Sequence, residues 1–218
     1  MRIENGVLVI RPADASMKIS DVAEKIISGI MDSNELDIIG ISSGIYLAFA
    51  SIHMARSIAN IHIDELCIDY IDIPILGKIE AISCRLSKKE GVDSKKMVVE
   101  EEKDMNLTPD RDGQVISVGH GITMEKLITL SLIKFARFKK LKLIAAGSSI
   151  TESVSLALKL TKGQISKDTV CVDLIDIYSI ASRNDPAKQI TATSIYLKKG
   201  LPTQYSKRHI ELIKKLKI

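Results

Sequence analysis

The sequence predicts an α/β protein made of two consecutive β-α-β-α-β-β units with mixed four-stranded sheets, and three observations lead there. First, Leu66-Cys67-Ile68-Asp69-Tyr70-Ile71-Asp72-Ile73 reads in register with Val170-Cys171-Val172-Asp173-Leu174-Ile175-Asp176-Ile177, at a numbering offset of 104. Second, the match extends both ways. Upstream, Ser42-Ser43-Gly44-Ile45 answers Gly147-Ser148-Ser149-Ile150 at an offset of 105; downstream, Ile79, Ala81, Ser83 and Leu86 answer Ile190, Ala192, Ser194 and Leu197 at 111. The rise from 104 to 111 places seven extra residues in the second copy's last hairpin. Third, 218 residues that are 45% hydrophobic suffice for two cores of ordinary size.

Each element follows from local pattern. Residues 6–10 are a short apolar run ended by Pro12, hence a strand. Val22, Ile26, Ile27 and Ile30 recur at helical spacing behind Ser20, the expected N-cap. Strand 36–41 leads through the Ser42-Ser43-Gly44 turn into a helix reaching about 60, and strands 62–73 and 78–86 are joined at Pro74-Ile75-Leu76-Gly77. Residues 92–112, with the charge run Glu100-Glu101-Glu102-Lys103-Asp104, separate a first domain over 1–91 from a second over 113–200. The second repeats the order: strand 114–118, helix 122–137, strand 141–145, helix 149–162, and strands 168–180 and 188–198 around Asn184-Asp185-Pro186. Ile210, Ile213 and Leu216 fall on one side of a basic C-terminal helix, 201–218. Apolar residues of the second helix in each unit are the expected seam between the units, which should pack through equivalent surfaces.

The net charge of +4 conceals a division. Residues 1–91 hold nine bases against thirteen acids, 92–112 four against seven, and 113–218 eighteen against seven, so the last part carries +11. A basic half beside an acidic one points to a polyanionic partner. Lys126, Lys134, Arg137, Lys139, Lys140 and Lys142 surround the first helix of the second unit, and Lys198, Lys199, Lys207, Arg208, Lys214, Lys215 and Lys217 follow its last strand. Aromatics make up 4% of the chain with no Trp, which favours phosphate contacts over base stacking. No run of about 18 apolar residues offers a membrane span, and the first residues lack an apolar signal core, so a cytoplasmic protein is expected, with the nucleoid a natural place for it.

Little points to catalysis. The histidines, His53, His62, His120 and His209, form no H-x-x-H or HExxH group, and there is no P-loop, GxGxxG or CxxC. The three cysteines read as buried thiols, and Asp69, Asp72, Asp173 and Asp176 as carboxylates on strand edges or bulges rather than metal ligands. No catalytic residue, metal or cofactor is expected. His120 between Gly119 and Gly121, at a strand-to-helix turn, is a candidate phosphate site through backbone N–H groups. Gly147-Ser148-Ser149 offers either helix capping or the same chemistry, with capping the better reading.

A β-α-β-α-β-β unit with Gly119-His120-Gly121-Ile122-Thr123-Met124 at its first turn and Ala146-Gly147-Ser148-Ser149-Ile150-Thr151-Glu152-Ser153-Val154 at its second resembles the Alba family of archaeal chromatin and RNA-binding proteins. The likeness is clearest over 115–199, with 5–89 a more diverged copy. It implies an intramolecular pseudo-dimer that contacts the phosphate backbone of DNA or structured RNA, the acidic first unit serving as internal partner; homo-oligomers are also compatible. The family's lysine pair falls here on His120 and Gly121, and its two arginines on Ala146 and Ser148, so those typical contacts are not basic. The family's hairpin arm falls on 181–188, keeping Arg183 and Lys188. The expected nucleic-acid-binding residues are therefore His120, Lys126, Ser148, Arg183, Lys188, Lys198, Lys199 and Arg208. The competing expectation is a protein-interaction scaffold that has lost nucleic-acid binding.

Overall fold

A computed structural model describes residues 1–73, 77–88, 113–119, 121–162, 169–182 and 185–200. The first sheet begins with an unexpected two-residue strand, β1 (Ile3–Glu4), turned back on β2 (Val7–Ile10) through Asn5 and Gly6, both at positive φ. Helix α1 (Ile19–Ser33), β3 (Glu35–Ile41), α2 (Gly44–Ile58), β4 (Ile61–Ile73) and β5 (Gly77–Lys88) follow. The second sheet contains β6 (Gly113–Val118), β7 (Lys140–Ala146), β8 (Val170–Ala181) and β9 (Gln189–Lys199), with α3 (Met124–Arg137) and α4 (Ser149–Lys162) between its strands. The order is β1-β2-β3-β5-β4 in one sheet and β6-β7-β9-β8 in the other, each with one parallel pair and the rest antiparallel. The expected linker, 92–112, and C-terminal helix, 201–218, lie outside the described residues.

The ladder registers revise how the two copies align. Leu36 pairs with Leu86 as Leu141 pairs with Leu197, so β3 maps on β7 at 105 and β5 on β9 at 111, as expected. Ile63, however, pairs with Leu86 as Val172 pairs with Leu197, which maps β4 on β8 at 109 rather than 104. Both ladders bulge at the matching aspartate: Asp64, between Ile63 and Glu65, and Asp173, between Val172 and Leu174. The eight-residue likeness is thus out of structural register by five. Cys67 lies opposite Ser83, whereas Cys171 lies opposite Lys198 at the far end of its strand. The hairpin excess is therefore two residues, not seven, and the second arm has no special reach. The remaining difference falls between α4 and β8.

The helix starts also depart from expectation. Lys18, not Ser20, holds the N-cap position of α1, and the Ser20 hydroxyl donates instead to Asp21 Oδ1 at 3.1 Å. Ser43 precedes α2 without a side-chain cap. What the two turns share is backbone geometry. Ser42 (φ 51°) and Gly147 (φ 58°) both adopt the left-handed conformation and donate N–H groups to the equivalent carbonyls of Glu80 and Thr191, each at 2.9 Å. At Gly44 the constraint is steric, because a Cβ would stand 2.6 Å from the Ile10 carbonyl oxygen.

Both helices of each unit cover one face of its sheet. Leu8, Ile10, Ile38, Leu86, Phe49 and Ile52 are buried together with Leu143, Val154, Leu158, Ile195 and Leu197 in one apolar cluster continuous across both units. Helix α2 packs on α4, and the crossing is reciprocal: α4 touches β4 and β5 of the first sheet while α2 touches β8 and β9 of the second. Ser155 of α4 donates to Glu80 Oε1 at 3.2 Å, Lys162 of α4 forms an ion pair with Asp69, and His53 Nε2 of α2 lies 2.6 Å from Ser179 Oγ. The contacts between the units thus run through the second helix of each, α2 and α4. Among the described residues no helix is long and apolar enough to cross a membrane.

A continuous core predicts one cooperative unfolding transition for both units, which circular dichroism and differential scanning calorimetry should report at the same midpoint. Burial, and secondarily the charge of Arg56, holds His53 below its ordinary pKa of 6.5. The unfolded chain therefore binds the proton first, so stability is full above pH 6.5 and falls as pH drops through 6.5 towards the depressed folded value. His53→Gln should flatten this part of the pH–stability curve. An equal slope in the variant would assign it to other groups.

Candidate nucleic-acid interface

The structure sorts the expected binding residues onto two ends of the second sheet. At one end β6 and β7 run out into the turns that start α3 and α4. There the Thr123 hydroxyl accepts the Lys126 backbone N–H at 3.4 Å, which caps α3 and leaves the Lys126 side chain exposed in its first turn. Ser148 is exposed just before α4, and Lys188 closes the hairpin, accepting the Ser182 N–H at its carbonyl (2.8 Å) and donating its own to Asp185 (2.9 Å). His120, Arg183 and Arg208 lie outside the described residues. Lys198 and Lys199 stand at the opposite end. The β7–β9 ladder runs from the Lys140–Lys198 pair to the Ala146–Ala192 pair, six steps of about 3.3 Å, or roughly 20 Å. The residues singled out in the sequence therefore do not form one site.

The far end is the more basic. Lys198 lies directly opposite Lys140, and the Lys199 N–H donates to the Lys139 carbonyl at 2.9 Å, so the end of β9 and the start of β7 share one edge. Arg137 ends α3 beside them and is exposed, as are Lys139 and Lys140. Alternation along β7 puts Lys142 on the sheet face away from the helices, where its Nζ sits 4.9 Å from the Tyr196 ring centroid. Asp173, extruded by the bulge, pairs with Lys198; this hydrogen bond raises the lysine's pKa and keeps it cationic. Six bases thus gather along this edge, and Asp173 pairs with one of them. On the helix side, Lys134 donates to Gln114 Oε1 at 2.9 Å.

The first unit shows what this edge looks like without the charge. The positions of Arg137, Lys139, Lys140, Lys142 and Lys198 are held there by Asp32, Asn34, Glu35, Asp37 and Ser87, while Lys88 corresponds to Lys199. Where Lys142 lies against Tyr196, Asp37 accepts a two-point ion pair from Arg85, at 2.8 Å to Nε and 2.6 Å to Nη2, with both side chains about 15% exposed. Where Lys198 meets Asp173, the Ser87 hydroxyl donates to Asp64 at 2.9 Å. The scaffold is the same and the sign of the surface is reversed.

The chemistry this edge supports is the holding of anions. Among the described residues no three His, Cys, Asp or Glu side chains gather as metal ligands. All three cysteines are buried, and burial pushes the Cys67 and Cys84 thiols up, so they stay protonated. The bulged Asp173 and the edge strands β4 and β8 account for the four aspartates as edge and bulge residues. No protein-family model matches the chain, and no curated protein matches it either. The basic edge was missed as a unit because its two lysine groups are nearly sixty residues apart in sequence; the signal that joins them is strand register.

The contrast between the two units is measurable. Asp37→Asn breaks a partly buried charged pair and should lower the unfolding free energy by about 1–3 kcal/mol. Lys142→Ala, at the equivalent position, should cost no more than about 1 kcal/mol. Urea titrations of both variants test this. Equal losses would mean that Lys142 is a structural residue rather than a surface one.

Proposed function

We propose that the chain is an intramolecular pseudo-dimer of two Alba-like units that binds the phosphate backbone of DNA or structured RNA through the basic edge of its second sheet, and that it is not an enzyme. The observation carrying this reading is the replacement, on one scaffold, of Asp32, Asn34, Glu35, Asp37 and Ser87 by Arg137, Lys139, Lys140, Lys142 and Lys198. A fold has no need for clustered like charge, which costs stability through self-repulsion, so a ligand of opposite sign is the simplest account of its retention. The reciprocal packing of α2 and α4 on the other unit's hairpin supports the pseudo-dimer. Spaced lysines on a strand edge track phosphates without reading bases. Tyr196 is half-buried and engaged by Lys142, which leaves little for stacking.

The equal arms change where binding is sought. With an excess of two residues rather than seven, the 181–188 hairpin has no privileged reach, and the weight of the proposal moves to 137–142 and 198–199. Fluorescence anisotropy with duplex DNA, duplex RNA and single strands, over a salt series, tests it. With a slope of about −0.9 per phosphate neutralised on duplex DNA, a footprint of four to six of these bases gives a log–log slope of roughly −4 to −5. Lys140→Ala with Lys142→Ala should weaken binding by about 1–3 kcal/mol and reduce the slope by about 2, and Arg183→Ala with Lys188→Ala should do less. Absence of binding at low salt would favour the scaffold reading. A larger loss from the hairpin variant would return the site to the arm.

A further inference from the structure

The two outermost helices carry complementary faces. On α3, Lys126, Leu130, Ile133 and Arg137 recur at i, i+4, i+7 and i+11 and share one exposed side, with Leu130 44% and Ile133 51% exposed. The stripe reads basic, apolar, apolar, basic. Such a face is unusual on a helix whose other side, Leu127, Ser131 and Phe135, already meets the core. On α1, which holds the equivalent place in the first unit, the exposed side carries Asp21, Glu24, Ser28, Met31 and Asp32, with Met31 52% exposed. Lys25, the nearest base, is turned to the Met1 carbonyl at 3.1 Å. At the 105 offset Lys126 corresponds to Asp21 and Arg137 to Asp32, so both ends of one stripe are basic and both ends of the other acidic.

We infer that copies of this chain associate head to tail, the exposed face of α3 in one copy docking on the exposed face of α1 in the next. Because each stripe has the same sign at both ends, opposite charges meet whether the helices run parallel or antiparallel. Leu130 and Ile133 then face the middle of the α1 stripe, Lys25 and Ser28, with Met31 alongside. Pairing α3 with α3 or α1 with α1 would bring like charges together, which selects against a two-fold dimer built on either face alone. The contact joins two different surfaces, so an open assembly keeps a free α1 at one end and a free α3 at the other and grows until it closes as a ring. One helix face is a small interface, and its charges are exposed, so association is weak and salt-sensitive.

Sedimentation velocity on nucleic-acid-free protein, over a concentration series at low and high salt, tests this apart from the proposed function. The wild-type chain should show concentration-dependent species larger than a monomer at low salt that dissolve at high salt. Asp21→Lys with Asp32→Arg, and separately Lys126→Asp with Arg137→Asp, should each raise the half-association concentration at least tenfold. Mixing the two variants restores opposite charge at both contacts and should restore association. Circular dichroism of each variant confirms that it folds. A wild-type chain that stays monomeric at low salt, variants that associate as wild type does, or a mixture that stays monomeric would each overturn the inference.

Discussion

Helix α2 is buried on more sides than one sheet can cover. Nine of its positions are buried, among them Gly44, Ile45, Leu47, Ala48, Phe49, Ser51 and Ile52, which together reach around the helix. A helix apolar on two sides needs two partners, and the first sheet supplies one. Helix α4, buried at Ile150, Val154, Leu156, Ala157, Leu158 and Leu160, has the same requirement, and each helix meets it with the outer helix of its own unit and with the other. Either unit alone would leave a large apolar face in water. The crossing also brings each helix against the opposite hairpin, where polar contacts such as His53 with Ser179 and Ser155 with Glu80 fix its register.

Because the seam carries this burden, the outer surfaces are free to differ. One sheet edge holds an internally neutralised Arg85–Asp37 pair, and its counterpart holds Lys142 over Tyr196. Helices α1 and α3 differ in the same sense. One chain thus carries two units with unlike surfaces, which the identical subunits of a homodimer cannot have. On the proposed function, a polyanion meets one basic edge per chain while the acidic half stays clear of it.

Element order was legible because period-3.6 and period-2 patterns are strong in both copies, and the Ser42 and Gly147 turns and the β5–β9 match were placed correctly. Register along β4 and β8 was not. An alternating strand resembles itself when slid, and the single-residue bulges at Asp64 and Asp173 absorb an odd shift without moving apolar residues to the wrong face. The correspondence that fits the ladder is Ile63-Asp64, Leu66, Ile68 and Ile71 with Val172-Asp173, Ile175, Ile177 and Ile180, which lacks the conspicuous cysteine. The overestimated hairpin followed from that error. The lysines of the basic edge were visible singly, but only the pairing of Lys140 with Lys198 makes them neighbours.

Backbone amide shifts on titration with a short duplex test the central claim most directly, because they locate the contact without disturbing any charge. The account predicts that the largest changes cluster at the end of α3, along the start of β7 and at the end of β9, with α1, β3 and β5 of the first unit little affected. Changes centred on the 181–188 hairpin or on the first unit, or none at low salt, would contradict it.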